Sequence, residues 1–224
     1  MSLLSIILIP LLTVVLYVVI TAFLLRNAVD SQHLKLKQFL MLRFFGTSLF
    51  AISTFVLVML CDDKVTLINV GVFNSWWAVV SLIVLVPVIL MINYNLAKNK
   101  KHHQIYPHLS VGEWRFSLLL LNALLWGVYL FAYELFFRGV VLSISIKWMG
   151  IVVAIAFNSI IYAIAHLPKG KFEVVGSMPL GVIFCVIAYL SDSFLIVWIL
   201  HFTMAVSNDF FCIKNKVNTN SNEV

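Results

Sequence analysis

Charge is what this chain has least of. Only 11% of its 224 residues are Asp, Glu, Lys or Arg, whereas 62% are hydrophobic. At a mean hydropathy of +1.05, a soluble domain could not hide its apolar surface, and a polytopic membrane protein is the class that remains. Cysteine is sparse too: Cys61, Cys185 and Cys212 have no paired spacing, which excludes a disulfide framework and a metal knuckle. The opening stretch MSLLSIILIPLLTVVLYVVITAFLL has no basic leader and no small-residue cleavage site. It therefore reads as a first span rather than a removable signal peptide. No internal repeat is visible, which weighs against the common transporter architectures.

What is present in abundance is long apolar runs. At about 20 residues per span the length suits a single bundle of about seven, with spans expected near 3–25, 38–60, 74–97, 116–137, 148–166, 173–190 and 194–212. The expected fold class is thus an all-α membrane helix bundle. The net charge of +6 reads as loop bias rather than nucleic-acid binding. Arg26, Lys35, Lys37, Arg43, Lys98, Lys100, Lys101, Arg115, Lys169, Lys171, Lys214 and Lys216 fall on one side. Only Lys64, Arg138 and Lys147 fall on the other. Twelve basic residues against three predict the N-terminus outside and the C-terminus in the cytoplasm. The organisation that follows is 1–115 for the first three spans and their loops, 116–212 for a core of four spans, and 213–224 for a disordered cytoplasmic tail. In the longest connection, 97–115, Trp114 reads as an interfacial anchor.

Few ionisable residues remain at membrane depth: Glu134 and Arg138 ending the fourth span, His166 ending the fifth, and His201 in the seventh, with Asp209 two turns on. Each such group costs about 2.5–3.5 kcal/mol at a bilayer centre on insertion scales, so each is a candidate functional residue. Glu134 and Arg138 stand at i and i+4 with the acid first, the favoured order for an ion pair. A self-satisfied pair locking the helix end is the bland reading, and Arg138 by itself could snorkel toward the interface. His166 completes a stripe with Asn158 and Tyr162 before Pro168 and Gly170 stop the helix, and His201 is followed by Ala205 and Asn208. Hydrogen-bonded packing is the bland reading of each histidine.

Together these groups permit peptide hydrolysis. A buried carboxylate can activate water as a general base. One histidine can orient that water, and a second histidine with an amide can donate to the tetrahedral oxyanion. Glu134, His166 and His201 are alternatively a set that zinc accepts, although no HExxH motif is present.

The segments ELFFRG at 134–139, YAIAHL at 162–167, GVIFCVIAY at 181–189 and SFLIVWILHFTMAVSN at 193–208 resemble the CPBP family. These are the CAAX prenyl endopeptidases and bacteriocin-processing or immunity proteins, also called Abi, with the pattern EExxxR, FxxxH, HxxxN. The resemblance covers about 116–212. It implies a helical bundle enclosing a water-accessible cavity and proteolysis of a membrane-associated peptide or protein. It also implies catalytic roles for Glu134, Arg138, His166 and His201, with either no cofactor or a divalent metal such as zinc. Three positions depart from the pattern: Tyr133 stands at the first glutamate, Ala205 at the oxyanion asparagine, and Tyr162 at the phenylalanine. Asn208, one turn beyond Ala205, is the candidate substitute. Either Glu134 takes over the base's duty or the chain is a non-catalytic relative, acting in bacteriocin immunity or envelope regulation. A bacterial cytoplasmic membrane is the expected location.

Overall fold

The structure, a computed structural model, describes residues 3–26, 34–61, 75–99 and 102–221. The apolar runs form α1 (Leu3–Arg26), α2 (Leu36–Leu60), α3 (Trp76–Leu96), α4 (Phe116–Glu134), α5 (Leu142–Ala165), α6 (Lys171–Ser191) and α7 (Phe194–Ser221). Pro10, Pro87 and Pro179 lie inside helices, a placement membrane helices tolerate because neighbours re-satisfy the freed backbone groups. Ser75 starts α3 by accepting the Trp77 N–H at 3.3 Å. Exposure is inverted relative to a soluble protein: Phe44 and Val152 are both 77% exposed, whereas Glu134 and Arg138 are 0% exposed. Such a surface is suited to lipid, and the chain is an integral membrane protein.

Among the described residues, six elements are long and apolar enough to span a membrane, against seven expected spans. The difference lies in 116–165, where the fourth and fifth expected spans follow one another without an intervening loop. Leu135–Val141 continues α4 as a π-helix, where sequence reading placed the end of a span and a loop. The path still doubles back, because Gly150 departs from helical geometry with φ 74° and ψ 164°. That is a conformation side-chain-bearing residues rarely adopt. The two arms then run side by side: the Asn158 amide donates to the Phe137 carbonyl at 2.7 Å, and the Phe137 and Tyr162 rings lie 5.7 Å apart.

Buried polar contacts hold the helices together. Thr13 donates to Ser53 at 2.9 Å between α1 and α2. Tyr17 and Tyr129 share a hydroxyl bond of 2.7 Å between α1 and α4, and Asn93 donates to Ser207 at 2.7 Å between α3 and α7. The segments carrying the basic excess collect at one end of the bundle. Leu34 bridges to Leu109, Asn215 donates to the Ala97 carbonyl at 2.8 Å, and Tyr106 donates to Glu173 at 3.3 Å. Trp114 packs there against a cluster of Leu34, Phe39, Leu42 and Leu109. Lys64, Lys100 and Lys101 lie outside the described residues. At the C-terminal end α7 runs to Ser221, and 222–224 of the expected tail lie outside the described residues.

Candidate active site

Three helical segments bring Glu134, Arg138 and His201 into one contact. Arg138 Nη1 donates to Glu134 Oε2 at 2.9 Å across one turn. His201, from α7, donates from Nδ1 to Glu134 Oε1 at 2.5 Å. Arg138 is wholly buried, with its guanidinium 4.1 Å from the centre of the Tyr162 ring. It therefore does not snorkel, and its placement on the outer side is corrected: it is an interior residue. The π-helix begins right after Glu134 and carries Arg138; such widened turns recur where helices must aim side chains at a site.

His166 arrives from the other side. Its residue caps α5, and a 3-10 turn Leu167–Lys169 follows before Gly170 redirects the chain at φ 103°. His166 Nδ1 donates to the Tyr162 carbonyl at 2.9 Å. Both imidazoles thus use Nδ1 on a fixed acceptor, which sets the tautomer and leaves Nε2 as the lone-pair nitrogen of each neutral ring.

His166, His201 and Asn208 line one cavity of about 370 Å³, together with Lys169, Glu173 and Tyr106. Its remaining walls are largely apolar, contributed by α3, α6 and α7 through residues such as Leu96, Leu180 and Met204. Glu134 is not among the lining residues and stands behind His201. The Asn208 side-chain oxygen accepts from His102 Nε2 at 3.2 Å, which fixes the orientation of the amide. Ala205 lines the same cavity without a polar group. Tyr133 is 2% exposed and packs within an aromatic group, its ring 4.9 Å from Phe50 and 5.9 Å from His201.

Sequence reading missed Lys169, Glu173, Tyr106 and His102 as cavity residues. All four lie in or next to connections, where their charge and polarity read as loop character. Burial holds the Lys169 ammonium below the usual lysine range, opposed by nearby Glu173. Burial and Glu173 push the Tyr106 hydroxyl well above its ordinary value. Asp209 is not part of this constellation: it accepts from Asn122 and from the Trp126 indole, each at 2.8 Å, in a separate buried cluster. Arg43 lies 3.4 Å over the Trp126 ring beside it.

The alternative metal set is not assembled. Among the described residues no three His, Cys, Asp or Glu side chains are grouped to share an ion. Glu134 commits one oxygen to Arg138 and the other to His201.

The family model for type II CAAX prenyl endopeptidases, Rce1-like, matches residues 112–207. The matched segment contains Glu134, Arg138, His166 and His201, stops one residue short of Asn208, and leaves out the first three helices. No curated protein and no solved structure matches the chain significantly. Residues 112–207 are thus similar to the type II CAAX prenyl endopeptidases, Rce1-like, over the four helical segments that carry the site.

Proposed function

We propose that this protein is an intramembrane endopeptidase that cleaves a membrane-associated peptide in the 370 Å³ cavity. The observation that carries the reading is the pairing of two imidazoles on that cavity with a buried carboxylate behind one of them. Glu134 is not the group that meets the water. It acts through His201, holding Nδ1–H and stabilising the imidazolium formed when Nε2 takes a proton.

The reaction balances as a hydrolysis. Water adds through oxygen to the peptide carbonyl carbon, and its proton passes to His201 Nε2. The carbonyl electron pair becomes an oxyanion. The Asn208 amide, oriented by His102, supplies an N–H to that oxyanion. Collapse breaks the C–N bond while His201 returns the proton to the leaving nitrogen, giving a carboxylic acid and an amine. His166 Nε2 accepts a hydrogen bond from the incoming water, and Arg138 holds Glu134 in place. We place the protein in a bacterial cytoplasmic membrane with the cavity end toward the cytoplasm, on the excess of Lys and Arg in the connections at that end.

Purified protein in liposomes with a panel of membrane-anchored peptides tests this. Cleavage that falls at least about 100-fold in His166→Ala and His201→Ala, at normal protein levels, is expected. Equal cleavage by wild type and both variants overturns it.

Tyr133 and Ala205, in place of the family's glutamate and asparagine, favour a second reading: a non-catalytic protein of the same fold acting in bacteriocin immunity or envelope regulation. Full phenotypic rescue by a His166→Ala/His201→Ala double variant supports that reading. Loss of rescue at normal membrane levels opposes it.

A further inference from the structure

A second cavity, of about 10 Å³, adjoins the first and is lined by Tyr133, His166, His201 and Lys169 with the aromatic residues Tyr17 and Tyr129. Its volume is that of one water molecule, which needs about 10–15 Å³ and two to four polar partners to be held. The partners are at hand. Tyr133 is 2% exposed, and its hydroxyl has no hydrogen-bond partner among the described residues. A buried hydroxyl left in that state is unfavourable, so a ligand of water size gains from occupying the space beside it. His166 and His201 have each committed Nδ1 to the protein, and Nε2 is the nitrogen each has left to offer. Tyr17 and Tyr129 are already bonded to each other at 2.7 Å and compete less for the site.

We propose that this small cavity is the seat of the attacking water, held between the Tyr133 hydroxyl and Nε2 of His201, with His166 on its other side. The proposal rests on the hydrolase reading above and divides the labour within it. Tyr133 holds the water by donating its O–H to the water oxygen, which leaves the two hydrogens for Nε2 of His201 and His166 and a second lone pair for attack. As a neutral phenol it does not take the proton, which goes to the His201–Glu134 pair. A tyrosine at this position is thus compatible with hydrolysis, because the carboxylate and the water contact reside on different residues. The two cavities share His166, Lys169 and His201, so water seated in the smaller one faces a peptide in the larger.

Two measurements test it. In a structure of the wild-type protein that resolves water, one ordered water within hydrogen-bond distance of Tyr133 Oη and His201 Nε2 is expected. Tyr133→Phe, which removes one oxygen, loses that water. In liposome kinetics Tyr133→Phe lowers kcat by about 100-fold with KM unchanged, the loss typical of a misplaced reactant. Tyr133→Glu recovers part of that loss and adds an acidic limb to the pH profile. A Tyr133 hydroxyl with no water beside it, or a Tyr133→Phe kcat equal to wild type, overturns the proposal. An ordered water at Tyr133 in a wild-type protein that cleaves no peptide leaves the water site standing and defeats the protease reading instead.

Discussion

His201 and Glu134 meet at 2.5 Å, from Nδ1 to Oε1, although 67 residues separate them in the chain. The contact turns a carboxylate that has no surface on the cavity into a support for an imidazole that does. Glu134 simultaneously neutralises Arg138, so one buried group serves both the fold and the site.

That double role separates two measurable effects of changing Glu134. Glu134→Gln leaves Arg138 buried without an anion, which costs about 3–5 kcal/mol of stability. The double substitution Glu134→Leu/Arg138→Met removes both charges and is expected to recover most of that stability without recovering cleavage. Thermal unfolding in detergent reads the first effect and peptide cleavage the second. A double variant as unstable as Glu134→Gln contradicts the ion-pair account.

Asn158 ties three segments together, donating to the Phe137 carbonyl at 2.7 Å and accepting from the Cys185 thiol at 3.3 Å. Asn158→Leu is expected to lower stability by about 1–2 kcal/mol, the upper range for interhelical bonds in membranes. It also loosens the π-helical turn that carries Arg138, so kcat falls as well. Unfolding midpoints and kinetics together check this, and an unchanged midpoint argues against it.

Gly46 gives α2 its close approach to α4: a Cβ there would come within 2.6 Å of Tyr129 Cε2. Gly46→Ala must push the Tyr129 ring and disturb its 2.7 Å bond to Tyr17. A loss of about 1–3 kcal/mol is expected, the usual cost of overpacking. An unfolding midpoint equal to wild type contradicts this packing.

The ordinary lysine value is 10.5, and burial lowers that of Lys169 in the folded protein. As pH rises between the lowered and the ordinary value, the unfolded chain keeps a proton that the folded protein has released. Folding therefore gains stability with rising pH from this group. Lys169→Met removes the group and is expected to be the more stable protein at neutral pH, with wild type closing the gap toward alkaline pH. Midpoints of the two proteins measured across that window check it; a gap that widens with pH contradicts the sign.

The sequence made the bundle, its connection sides and the polar constellation legible, because charge in an apolar chain is conspicuous. Glu134, Arg138, His166 and His201 stood out for that reason, and three of them do form one contact. Three features were hidden. The π-helix and the turn at Gly150 were not visible because hydropathy runs unbroken from Phe116 to Ala165, and a glycine in an apolar run looks like any other small residue. The cavity roles of Lys169 and Glu173 were masked by their place in a loop and a first helical turn. The order of contact was also out of reach: the i, i+4 pattern gave Glu134 to Arg138, whereas only tertiary packing reveals that its other oxygen belongs to His201.

The central claim is that Glu134 acts through His201. The measurement that addresses it most directly is a double-mutant cycle on kcat in liposomes, using Glu134→Gln, His201→Ala and the double variant. Groups that work as a unit are strongly non-additive, so the double variant is expected to be no slower than His201→Ala alone. A double variant slower than His201→Ala by the full Glu134→Gln factor would mean that the two act independently, and would contradict the account.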